Sequence, residues 1–247
     1  MFTPEHRKRL RSELLARAAA DARISGAAIT GSAAIGREDR WSDVDLAFGI
    51  ADPGAIPAVM ADWTAHMYER WGALDHVDVP AGSWIYRVFL LPGTLQVDLA
   101  FVAAADFRPL AESFHLISGT AREAAPIAAP KAGSLIGMAW LFGLHARSSI
   151  ERNRLWQAEY MVSGVRDYTL ALACLRFGRP AAHGRGLHDL PPEVVKPFEA
   201  TLVRAIDTGE IRNAFRAVIE LLIREVRFVD ESTAGRLEGE LRSLGCG

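Results

Sequence analysis

The sequence predicts an α+β chain in two parts, a mixed-sheet half over residues 1–130 and an all-α helical bundle over residues 131–247. Three observations carry that prediction. Strand-like alternation is confined to the first half, clearest at 43–48, 84–91 and 95–102. Helical spacing fills the second half, where no strand pattern of any strength returns. Between them the stretch AAPIAAPKAG, rich in alanine and broken by Pro126 and Pro130, marks the boundary.

The elements follow in order. Residues 1–23 read as a helix capped by Thr3, with Pro4 in its first turn and Leu10, Leu14 and Ala18 as its apolar stripe. Its basic run HRKRLR reads as a solvated face. Ala27, Ala28, Ile29 and Thr30 form a short buried strand that stops at Gly31 and Ser32. A second strand holds Asp43 and Asp45, a helix covers 54–71, and further strands cover 74–79, 84–91 and 95–102. Leu91-Pro92-Gly93-Thr94 is a turn, so the last two strands make a hairpin. A two-residue loop sets Arg87 opposite Asp98, although a Pro-Gly turn lets the register slip, and Arg87 is read as an ordinary cross-strand charge partner. In the second half helices are expected over 134–148, 151–177, 192–207, 210–229 and 231–244.

Composition narrows the function classes. At 247 residues, 50% of them hydrophobic, the chain is long enough for two sizeable cores. A net charge of −2 gives no footprint for a nucleic-acid backbone, so no nucleic-acid partner is expected. No apolar run is long enough for a bilayer and no signal-peptide core is present, which implies a cytoplasmic protein without a membrane partner. Cys174 and Cys246 suggest neither a disulfide framework nor a zinc cluster, and His115, His145, His183 and His188 lack paired ligand spacing.

The chemistry sits in the acids. Side chains alternate along a strand, so Asp43 and Asp45 face one way while Val44, Leu46 and Phe48 face the core. In the later strand Leu95, Val97, Leu99 and Phe101 are apolar and Gln96, Asp98 and Ala100 lie opposite, which lets Asp98 join the first two acids. Clustered carboxylates call for a cation, and oxygen-only ligation suits magnesium, which commonly takes substrate phosphates as further ligands. Gly31 allows close approach of the backbone to a phosphate, and Ser32 can donate to it.

Gly-Ser, ten residues, Asp-hydrophobic-Asp-hydrophobic and a later strand Asp together resemble the nucleotidyltransferase superfamily typified by DNA polymerase beta. The resemblance covers the first half of the chain. It implies a nucleotidyltransferase domain in which Gly31 and Ser32 hold a triphosphate and Asp43, Asp45 and Asp98 bind two Mg2+ ions. The two-part layout is similar to the small-molecule branch, whose enzymes nucleotidylate aminoglycoside or lincosamide antibiotics and use a helical C-terminal domain for the acceptor. On that resemblance the expected reaction is transfer of a nucleoside monophosphate from a triphosphate, with ATP the expected donor, to a hydroxyl of a small molecule, by a monomer or homodimer.

Charge does not select a polycationic acceptor: residues 131–247 hold 16 basic and 14 acidic side chains. The rival reading is an antitoxin-like nucleotidyltransferase that modifies or binds a partner protein. A third, nucleotidyl transfer to RNA ends, requires salt-sensitive RNA binding.

Two stripes run along the helix after Glu151. Met161, Val165, Tyr168, Leu172 and Leu175 form the buried one. Arg152, Trp156, Glu159, Ser163 and Arg166 form a polar one that could close a nucleotide cleft. Some family members take a glutamate of the helical domain as general base, which makes Glu159 the candidate. The alternative is a helix-surface acid paired with Ser163 or an arginine. Arg152, Arg154 and Arg166 are read as solvated, and Trp41 and Trp156 are the aromatics placed to stack on a base or sugar.

Overall fold

The computed structural model describes residues 2–125 and 130–245; Pro126 of the expected boundary and Cys246 lie outside the described residues. The chain divides into two compact units, Met1–Ile127 and Ala128–Gly247.

The first unit is built on a six-stranded sheet in the order β3-β4-β5-β2-β1-β6. Its strands are β1 (Ile24–Thr30), β2 (Val44–Ile50), β3 (Asp75–Ala81), β4 (Trp84–Leu91), β5 (Leu95–Ala103) and β6 (Phe114–Gly119). The β2–β5 pair is parallel and the other pairs are antiparallel, so the sheet is mixed. Strand β6 was not expected. Its residues FHLISG are mostly exposed at a sheet edge, so no apolar alternation announces it.

One face of the sheet packs against α1 (Pro4–Ala20) and α3 (Ile56–Trp71); the single turn α2 (Gly31–Ala34) lies between β1 and β2. Helix α1 starts where Thr3 Oγ accepts from the His6 N–H at 3.1 Å, with Pro4 in its first turn. Leu10, Leu14 and Ala18 are buried as their spacing requires. So is Arg7, which overturns the reading of HRKRLR as wholly solvated: Arg7 lies three residues before Leu10, on the apolar stripe itself. Helix α3 buries Val59, Met60, Trp63, Met67 and Trp71 and stops at Gly72, whose φ of 62° suits glycine. Trp63 meets Phe48 and Phe101 with ring centroids 4.6 and 6.4 Å apart.

The other face holds a smaller cluster of Ala28, Ala47, Ala100, Val102, Trp84 and Phe107. The acid-bearing face is thus polar at one end and apolar at the other.

The β4–β5 hairpin does not put Arg87 opposite Asp98. Leu91 pairs with Leu95 across three connecting residues, with Gly93 and Thr94 both at positive φ, so Val88 faces Asp98 and Arg87 faces Leu99. Across the β3 side Arg87 pairs with Asp78 and forms a two-pronged ion pair at 2.7 Å per bond. It also donates to Thr64 Oγ1 at 2.7 Å, so it is a cross-strand charge partner, of Asp78.

The second unit contains α4 (Ala132–Glu151), α5 (Leu155–Arg176), the short α6 (Pro192–Val195), α7 (Thr208–Val229) and α8 (Glu231–Gly245) around one core. Helix α5 begins later than expected because Asn153, at φ 53°, separates it from α4. Arg152 therefore caps α4 and leaves the polar stripe of α5. The helix expected over 192–207 is also broken. Pro197 has no N–H to give to the preceding turn and its ring opposes that carbonyl, so α6 passes into a tight helix over Lys196–Thr201 and the chain is extended at Leu202. Asp207 then caps α7, accepting from the Glu210 N–H at 2.9 Å. No helix of the described residues is long and apolar enough to cross a membrane.

Candidate active site

Parallel pairing sets Asp45 on β2 directly beside Asp98 on β5. Val44, Leu46, Phe48, Val97, Leu99 and Phe101 are buried in the helix-covered core, as the alternation requires. Asp43 precedes the first residue of β2, and carboxylate oxygens of Asp43, Asp45 and Asp98 all lie within 4.8 Å of one another. The three acids, scattered in sequence, form one half-buried group.

Gln96, two residues before Asp98 on the same strand face, donates from Nε2 to Asp98 Oδ1 at 2.9 Å and to Asp43 Oδ2 at 3.4 Å. Sequence reasoning did not single it out, although the alternation placed it on the acid face. Burial pushes the Asp98 carboxyl up to about 6 from its ordinary 3.8; the Gln96 hydrogen bond works against this and the charge of Asp43 adds to it. Tyr86 on β4 joins this face, opposite Ala100. Its phenol is raised by burial and then by the charges of Asp45 and Asp98.

Gly31 follows the last residue of β1 at φ 64°, and a Cβ built there falls 2.0 Å from Asp45 Oδ2. Only a residue without a side chain lets the β1 end approach the acid so closely. Beside it, the Ser32 hydroxyl is buried with no hydrogen-bond partner in the protein. An unpartnered buried hydroxyl is costly unless a bound group uses it.

The loop from Gly36 to Ser42 exposes Trp41, at 63%, with the Arg40 guanidinium 4.3 Å from its ring centroid. Within the second unit, half-buried Glu159 accepts from Ser163 Oγ at 2.7 Å, the helix-surface pairing open to it from the sequence. Arg166 reaches the Thr201 carbonyl at 3.4 Å and Asp167 at 3.7 Å, and Trp156 is 76% exposed.

The donor set fits a divalent cation. Three oxygen-only ligands lie within reach of one centre, and the charge of Asp43 helps push Asp98 up, repulsion that a cation relieves. Of the parts that carry the sequence resemblance, Gly31 lies against Asp45, and Asp43 just before β2, Asp45 within it and Asp98 on the strand beside it come together.

No protein-family model matches the chain and no curated protein matches it. Among solved structures, an aminoglycoside 6-adenyltransferase from Bacillus subtilis aligns over 100% of both chains at a TM-score of 0.45 and 12% identity. That likeness is too low to bear on the residues or the substrate.

Proposed function

We propose that the chain is a magnesium-dependent nucleotidyltransferase that moves a nucleoside monophosphate from a nucleoside triphosphate, ATP by our reading, to a hydroxyl of a small molecule and releases pyrophosphate. The single observation that carries this reading is the convergence of Asp43, Asp45 and Asp98 within 4.8 Å. Gly31 packs against that group and Ser32 beside it keeps an unpartnered hydroxyl.

In this reading Asp43, Asp45 and Asp98 hold two magnesium ions. Bound there, the ions supply charge neutralisation for the transferring phosphoryl group and acidify the attacking hydroxyl. The Ser32 hydroxyl and the backbone at Gly31 seat the triphosphate, which anchors the donor while the acids fix the line of attack. On the family resemblance Glu159 is our candidate for the general base, a role that contributes roughly a hundredfold to ten-thousandfold where it operates. Residues 1–130 are then the nucleotidyl-transfer part and 131–247 the acceptor part. We place the reaction in the cytoplasm, in a monomer or homodimer, with an antibiotic among the acceptors to be tested.

The test is pyrophosphate release over a panel of triphosphates and hydroxylated acceptors, comparing the native chain with Asp43→Asn and Asp98→Asn. Release that needs both acids supports the reading, and release untouched by either substitution sinks it. Release seen only with a partner protein present would favour the antitoxin-like alternative.

A further inference from the structure

Arg7 is 4% exposed, an unusual place for a guanidinium on a first helix. A buried guanidinium needs acceptors for its fork of donors. The structure gives Arg7 two from one short segment: its Nε donates to Glu38 Oε1 at 3.1 Å, and its Nη1 donates to the Ser42 carbonyl oxygen at 2.8 Å. Glu38 is held a second time by Arg11 at 2.5 Å. Ser42 is held from its other side by Asp39: the Asp39 carbonyl accepts its N–H at 3.3 Å and Asp39 Oδ1 accepts its hydroxyl at 3.1 Å.

The Ser42 carbonyl belongs to the peptide plane that carries the nitrogen of Asp43, so fixing that oxygen fixes the plane from which Asp43 departs. Asp43 is the acid that most needs such a device. Asp45 and Asp98 sit within strands and are located by the β2–β5 ladder, whereas Asp43 lies before the first residue of β2. We propose that Arg7 is a positioning residue for the acid group, reaching from α1 to the Ser42 carbonyl and thereby holding Asp43 within ligand distance of Asp45 and Asp98. The inference rests on the metal-site reading above and adds to it a part supplied by a helix remote in sequence from the acids.

The experiment uses Mn2+ alone as probe, titrated onto the full chain and followed by electron paramagnetic resonance, with the far-UV spectrum of each variant checked against the native one. Asp98→Asn tests the site itself. Arg7→Met is expected to weaken Mn2+ binding about tenfold or more, the scale found when partners that orient metal ligands are removed. Arg11→Met takes away the other partner of Glu38 without touching the Ser42 carbonyl, and is expected to bind Mn2+ much closer to the native chain than Arg7→Met does. Native Mn2+ affinity in Arg7→Met, with binding lost in Asp98→Asn, overturns the positioning role alone. Equal losses in Arg7→Met and Arg11→Met overturn it too, because the effect then belongs to the ion cluster on Glu38. Binding that is absent in the native chain, or unchanged in Asp98→Asn, overturns the metal-site reading and this inference with it. Should Arg7→Met fail to fold, Arg7→Lys decides: it keeps the charge and loses the fork, so weakened binding in a folded protein supports the role and native binding overturns it.

Discussion

Glu225 and Asp98 are both carboxylates drawn out of solvent, one in each unit, and the chain surrounds them in opposite ways. Glu225 on α7 is fully buried, with Arg176 of α5 at 2.9 Å and Arg224 at 3.4 Å. Asp98 has two more acids and one neutral amide beside it. Withdrawal from water is therefore no mark of function by itself. Where the neighbours cancel the charge, the carboxylate braces two helices; where they add to it, the group attracts a cation.

Neutralising each acid in turn separates the two roles most sharply. Asp98→Asn is expected to cut pyrophosphate release about a thousandfold or more, the rate equivalent of several kcal/mol of transition-state charge stabilisation. Metal-free, the same variant should unfold at or above the native urea midpoint, since the substitution relieves repulsion. Glu225→Gln should instead lower the urea midpoint, because it takes the counter-charge from the part-buried Arg176 and Arg224, and keep its activity per folded molecule. Equal destabilisation by both substitutions would erase the contrast.

A smaller effect comes from the cation. Mg2+ at about a hundred times its dissociation constant should stabilise the native chain by about 2.7 kcal/mol and Asp98→Asn by much less, read as shifts in the thermal midpoint.

The pH dependence of the metal-free protein gives a third handle. The folded state raises Asp98 from 3.8 to about 6, so it holds that proton more tightly than the unfolded chain does. This contribution to stability is full below about pH 4 and is lost as pH rises through about 6, and Asp98→Asn should flatten the slope in that window. A slope unchanged in the variant would assign it to other groups.

Smallest in stability is Gly31→Ala. The left-handed backbone at φ 64° costs a residue with a Cβ about 1–2 kcal/mol. Because that Cβ falls on Asp45 Oδ2, Mn2+ binding should suffer more than folding.

The acid site was legible because strands have a period of two: Val44, Leu46, Val97 and Leu99 had to face the core, which left Asp45 and Asp98 on one side. Gly31 was legible as a break in an apolar run, though its contact with Asp45 was not, since that depends on how β1 and β2 are paired. The register of Arg87 depended on how many residues the turn at Pro92 uses, and two positive-φ residues there leave no trace in a hydrophobic pattern. Arg7 was hidden by its charge, although its spacing from Leu10 and Leu14 places it on the buried stripe. The break at Pro197 was legible in principle, because proline inside a helical pattern ends it.

Asp45 and Asp98 occupy paired positions on neighbouring parallel strands, and everything from Ala51 to Thr94, helix α3 and strands β3 and β4 included, is the excursion that joins them. Their separation is set by ladder hydrogen bonds, and the length of that excursion does not enter it. Lengthening the Gly82 turn between β3 and β4 leaves the two acids where they are. Sliding β5 by one position against β2 brings Val97 or Leu99 beside Asp45 in place of Asp98. The molecule is thus tolerant of added or lost residues at the turns of that excursion and intolerant of a single step in the β2–β5 pairing.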